Sequence, residues 1–225
     1  MRMNKTLFRQ AIGKFAAGLL LVMLLLFVPV GSLCFWQGWL LIAVLFVPMF
    51  AAGLVMMKKN PALLKKRLRA KEEQGEQKTV ILLSGIMFLA AFIAAGLNFR
   101  FRWIPLPAWV SWAGAVIFLL SYALYGEVLR ENEYLSRTIE VQENQKVVDT
   151  GLYGIVRHPM YMATVILFLS MPLVLGSLIS FVIMLAYIPI IVKRIRNEEE
   201  VLADGLPGYA EYRTRVKYRI IPYIW

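Results

Sequence analysis

The sequence predicts an all-α integral membrane protein of about six transmembrane segments, the last two a short helical hairpin, followed by a cytoplasmic C-terminal amphipathic helix. Three observations predict it. Of the 225 residues, 60% are hydrophobic, and the mean hydropathy is +0.64. Only 17% are charged, against about a quarter in soluble domains, and the missing charge falls in long uncharged runs. The 25 Lys and Arg, against 14 Asp and Glu, gather beside those runs. That is a topology signal and a contact with anionic headgroups, not the footprint of a nucleic acid.

Taken in order, Arg2, Lys5, Arg9 and Lys14 precede a stretch from Phe15 to Met57 without one charge. It is about twice what one spanning helix needs. A signal peptide has a much shorter apolar core, so the first span is expected to be retained. Pro29, Gly31, Ser32 and Gly38 break the run, with Trp36 and Trp39 as interfacial anchors, giving helices near 14–34 and 37–57. Lys58 to Lys78 holds eight basic residues and three acids. Leu63, Leu64 and Leu68 suggest either a short amphipathic piece on the headgroups or a solvated loop.

Thr79–Phe99 reads as a third span and Trp103–Gly126 as a fourth. The basic loops place the N-terminus inside, and helix 4 returns the chain there near Glu127. Residues 1–126 thus form a four-helix scaffold, and residues 127–225 form a second region. Helix 4 is expected to extend past the membrane into a loop around 140–152. The uncharged run Pro159–Val192 is too long for one span and short for two. Met171-Pro172 and Gly176-Ser177 divide it, and two short helices would form a hairpin. That hairpin returns Lys193 and Arg194 to the side of His158. The tail from Asn197 repeats Tyr209, Tyr212 and Val216 at helical spacing, as in a helix on the cytoplasmic leaflet.

Single copies limit the chemistry. Cys34 is the one cysteine and His158 the one histidine, so neither a disulfide nor a multi-ligand metal site is expected. His158-Pro159 opens a helix, because proline suits the first turn and holds the preceding residue extended. A helix N-terminus can bind an anion, and Arg157, His158 and Tyr161 surround this one; equally, they could be a snorkelling arginine and a cap. Arg194 and Glu198, four apart, share a helix face; they form either an ordinary ion pair or one wall of a site. Gly151-Leu152-Tyr153-Gly154 follows no strand and is no dinucleotide fingerprint.

Together, Val147-Val148-Asp149-Thr150-Gly151-Leu152-Tyr153, Arg157-His158-Pro159-Met160-Tyr161 and Glu198-Glu199 with Leu202, Tyr209, Tyr212 and Pro222 resemble the isoprenylcysteine carboxyl methyltransferase family. Its wider superfamily includes phospholipid N-methyltransferases. The resemblance implies a membrane methyltransferase, in a bacterial inner membrane, using S-adenosylmethionine in a cytoplasm-facing site. It implies that Gln145, Lys146, Val147, Val148, Tyr153, His158, Pro159, Met160, Tyr161 and Glu198 hold the cofactor. Arg194 falls where the family orients its acceptor, and Thr138 where animal enzymes have a cofactor-contacting glutamine. The acceptor is a lipophilic carboxylate or, alternatively, an amine, for which Glu199 or His158 would be the base. No metal is implied. The competing expectations are a membrane sterol reductase, which carries a related C-terminal region and uses NADPH, and a non-enzymatic scaffold.

Overall fold

The computed structural model describes residues 5–68, 75–135, 139 and 141–225. Arg2 and Thr138 lie outside the described residues. Among the described residues the regular elements are all helices, without strands. Its helices are α1 (Lys5–Val30), α2 (Trp36–Lys59), α3 (Pro61–Leu68), α4 (Gly75–Phe101), α5 (Ala108–Glu131), α6 (Pro159–Val174), α7 (Leu178–Met184), α8 (Tyr187–Gly205) and α9 (Tyr209–Arg215), with one 3₁₀ turn at Gly151–Gly154.

Five segments are long and apolar enough to cross a membrane: Thr6–Val30, Trp36–Lys59, Lys78–Phe101, Ala108–Glu131 and Leu178–Gly205. Their outward residues, such as Leu20, Val28, Val47, Leu82 and Leu120, are apolar and exposed, as on a surface solvated by lipid. The protein is an integral membrane protein. The count of six is not reached by the same measure, because α6 has 16 residues and rises only about 24 Å.

The break inside the first apolar run falls where the glycine requires it. Gly31 ends α1 at φ +69°, the left-handed position that closes a helix. Phe35 then packs fully buried beneath α2, with Leu41 and, from α5, Phe118. α5 and α6 lie closest of all. A Cβ on Gly114 would meet the Val174 backbone nitrogen at 2.7 Å and the Leu173 carbonyl carbon at 2.9 Å. Small residues permit such approach between membrane helices.

At the far end of α6 the chain reverses. Gly176 takes φ +63°, and the Ser177 hydroxyl accepts from the Ser180 amide at 3.2 Å. α7 and α8 then run back, and α8 continues well beyond Val192, to Gly205. The charged stretch read as the start of a tail is therefore the last turns of a helix; its stop is Gly205-Leu206-Pro207. The tail also differs from a helix lying on lipid. Tyr209, Tyr212, Leu206 and Val216 bury their apolar face against Val141, Val147 and Leu202 of the protein itself.

The contact at Gly114 sets a measurable limit. Gly114→Val should cost about 1–3 kcal/mol by overpacking and lower the melting temperature in detergent. Gly126→Ala, whose added Cβ meets nothing within 4 Å, should not lower it.

Candidate active site

The start of α6 is fixed by a short backbone pairing with the tail. The Arg157 amide donates to the Tyr218 carbonyl at 2.9 Å, and the His158 amide donates to the Arg219 carbonyl at 2.8 Å. His158 is the N-cap residue, extended at φ −127°, and Pro159 follows inside the first turn.

Beneath this pairing sits Glu199, 3% exposed. Its Oε1 accepts from Arg157 Nε at 2.7 Å and lies 3.3 Å from His158 Nε2. Its Oε2 accepts from Arg219 Nε at 2.9 Å. Arg157 Nη1 also donates to the carbonyls of Val216 and Lys217, at 2.7 and 2.8 Å. One carboxylate thus ties α8, the α6 start and the tail together.

Glu198, one residue earlier on α8, faces the other way. It accepts from the Tyr161 hydroxyl, and Arg194 Nε donates to that hydroxyl at 2.9 Å. Its Oε1 lies 4.0 Å from His158 Nδ1. A second latch holds the loop opposite. Glu131, ending α5, accepts from the Leu152 amide at 3.1 Å and the Thr150 hydroxyl at 3.3 Å. Gly151 has φ +51° and passes so close that a Cβ would collide with that carboxylate. The Tyr153 hydroxyl accepts from Asn132 Nδ2 at 2.9 Å, and its carbonyl accepts from Tyr212 Oη at 2.7 Å.

These elements enclose a cavity of about 100 Å³. Gln145, Lys146, Val147, Val148, Tyr153, His158, Met160, Tyr161, Arg194 and Glu198 all line it. So nearly every residue singled out from the sequence borders one void, although they come from four segments. Two do not. Pro159 is fully buried in the first turn of α6. Glu199, expected as a base candidate, is away from the cavity with both oxygens occupied by cationic partners.

The sequence did not point to several other lining residues: Asn132, Tyr134, Leu135, Ile139 and Leu206. Tyr209 and Tyr212 line it too, though their helical spacing reads as a helix on the cytoplasmic leaflet. The Tyr209 hydroxyl is buried without a hydrogen-bond partner. Burial pushes the phenols of Tyr153, Tyr209 and Tyr212 well above their ordinary range, so they remain neutral at physiological pH. Among the described residues no group of three or more His, Cys, Asp or Glu could hold a metal ion.

A void of this size is below the about 300–1,000 Å³ of small-ligand sites. Tyr134, Leu135, Ile139 and the stretch 145–148 form its non-helical wall, the part that can give way without breaking a helix.

Fold and site together define an all-helical membrane protein with a polar small-molecule cavity at one end of its bundle. Residues 112–204 match the model of the isoprenylcysteine carboxyl methyltransferase (ICMT) family. The fold is similar to that of the eukaryotic intramembrane Ras methyltransferase ICMT. The TM-score is 0.51, with 18% identity, over 84% of this chain and 74% of that one. Over 91 residues the chain is 34% identical to the Delta(14)-sterol reductase TM7SF2 of Mus musculus, covering 39% of this chain. That match spans about a fifth (22%) of the length of the mouse protein.

The clamp predicts a stability effect apart from any chemistry. Glu199→Gln leaves two guanidinium groups uncompensated, Arg157 buried and Arg219 partly so; breaking a buried pair costs about 3–5 kcal/mol. Glu200→Gln, one residue on and exposed, should be close to neutral. Thermal denaturation of both variants in detergent decides it.

Proposed function

We propose that the protein is an S-adenosylmethionine-dependent methyltransferase acting on a lipophilic acceptor, in the first instance a carboxylate. The observation that carries it is the convergence of Tyr153, His158, Tyr161, Arg194 and Glu198 on one cavity, in a region that matches the model of a family named for carboxyl methylation. In this reading residues 1–126 are scaffold and residues 127–225 carry the site. The basic loops of the sequence put that site and both termini on the cytoplasmic side; α6 and α7–α8 form the hairpin of a sixth crossing.

The residues present fit such a cofactor. Its amino and hydroxyl groups need acceptors, which Glu198 supplies, and its carboxylate needs a cationic rim, which Lys146 and Arg157 supply. The unpartnered Tyr209 hydroxyl has a hydrogen bond to give. The rings of Tyr153 and Tyr161 suit a sulfonium cation. When bound, the cofactor supplies an electrophilic methyl group. A carboxylate, with a pKa near ~4, is already ionised and needs no base, so the chain's task is positioning. The Tyr161–Arg194 hydrogen bond holds the guanidinium of Arg194 in place for it. Glu199 acts as a positioning residue through Arg157 and His158.

The stretch shared with the mouse sterol reductase favours a second reading, a reductase using NADPH. The two separate in one titration. In nanodiscs, S-adenosylmethionine should bind with micromolar to low-millimolar affinity, weakened at least about tenfold by Glu198→Ala, the loss expected for one charge-assisted bond. NADPH should not bind. Binding of NADPH alone would overturn the methyltransferase. Among products, a base-labile ester marks a carboxylate acceptor and a stable methylamine an amine.

A further inference from the structure

The uncharged run that begins at Pro159 ends at Val192, so α8 carries Lys193 to the level of the lipid headgroups. On the apolar side of that level a hollow of about 540 Å³ opens between α4 and the break joining α7 to α8. Among its walls Val80 and Met87 are buried, while Leu83, Ala90 and Pro189 are exposed. The hollow is therefore open to the side that meets lipid. Lys193 is the one ionisable residue in its lining.

A second, more polar hollow shares Pro189 and Lys193 with the first. It follows α8 past Ile188 and Val192 to Arg196 and Glu200. Lys193 and Arg196 are both exposed, and among the described residues neither is in an ion pair. Residues 193, 196 and 200 recur at helical spacing and share one face of α8. Arg194 and Glu198 turn to another face, on the wall of the polar cavity. Neither hollow shares a residue with that cavity.

We propose that this face of α8 holds one anionic glycerophospholipid, with an acyl chain in the hollow between α4 and α8 and its phosphate between Lys193 and Arg196. The order of the walls matches the order of groups in such a lipid: apolar surface first, then two cations at headgroup depth. Arginine meets a phosphate with paired hydrogen bonds, and the lysine stem can lie along the apolar wall while its ammonium reaches the head. The two cations outnumber the single acid, Glu200, so the hollow favours a head with net negative charge. A lipid held there braces α8 from a side that the polar cavity does not use.

The full chain, purified in mild detergent and freed of lipid, is given equal amounts of phosphatidylglycerol and phosphatidylcholine with identical acyl chains. Native mass spectrometry counts what stays bound. One phosphatidylglycerol should be retained at concentrations where phosphatidylcholine is not. Lys193→Gln combined with Arg196→Gln should weaken it about thirtyfold, roughly fivefold for each basic residue at an anionic surface. Lys58→Gln combined with Lys59→Gln, a basic pair exposed elsewhere, should leave it unchanged. Ala90→Phe, at an exposed wall of the apolar hollow, should weaken it about tenfold, the loss of roughly two buried methylenes. Equal retention of the two lipids overturns the inference, and so does an equal loss in the Lys58 and Lys59 variant. A lipid-free dimer broken by Ale90→Phe would assign the face to a second copy of the chain and overturn it too. No readout here involves S-adenosylmethionine, so the outcome stands apart from the methyltransferase reading.

Discussion

The buried carboxylate of Glu199 is the constraint on which this end of the molecule depends. A lone carboxylate at 3% exposure would be prohibitive, and its partners are what make it tolerable. Those partners come from two places, Arg157 and His158 before α6 and Arg219 in the tail, while the carboxylate itself stands on α8. Each would otherwise be a separate segment on a membrane surface. Joined at one point, they give the α6 start a fixed direction and the tail a fixed register, through hydrogen bonds from the Arg157 and His158 amides to the carbonyls of residues 218 and 219.

Glu198 and Glu199 show how adjacent residues divide labour. Successive side chains on a helix point about 100° apart. On α8 one of the pair turns into the clamp and the other onto the cavity wall. The clamped one is saturated with donors and holds position. The other keeps an oxygen 4.0 Å from the nearest imidazole nitrogen, available to something in the void. The roles could not be exchanged without reversing the face of α8 that meets α6.

That distinction was invisible in the sequence, where Glu198, Glu199 and Glu200 are three like charges in a row. The spans were legible, because an uncharged run between basic loops has few other meanings in water or lipid. The residues bordering the cavity were legible through their motif. Glu199 was misread as a base because its partner Arg219 is 20 residues distant and nothing in the spacing announces the contact. Tyr209 and Tyr212 were misread for a related reason. Helical periodicity tells which residues share a face, not whether lipid or protein covers it. Here Val141 and Val147 cover it, from a polar loop with no periodicity of its own.

The register of α5 against α6 places the cavity. Gly114, in the second turn of α5, meets Val174 at the end of α6. From that contact α5 runs 17 residues on to Glu131 and α6 runs 15 back to Pro159, about 26 Å against about 23 Å, so the two helices end nearly level. Glu131, the last residue of α5, is where the loop at 150–152 is latched. His158 and Tyr161 therefore sit at the foot of a recess between the start of α6 and the loop segments facing it. A recess of that kind suits the meeting of a water-soluble donor with a membrane-dissolved acceptor.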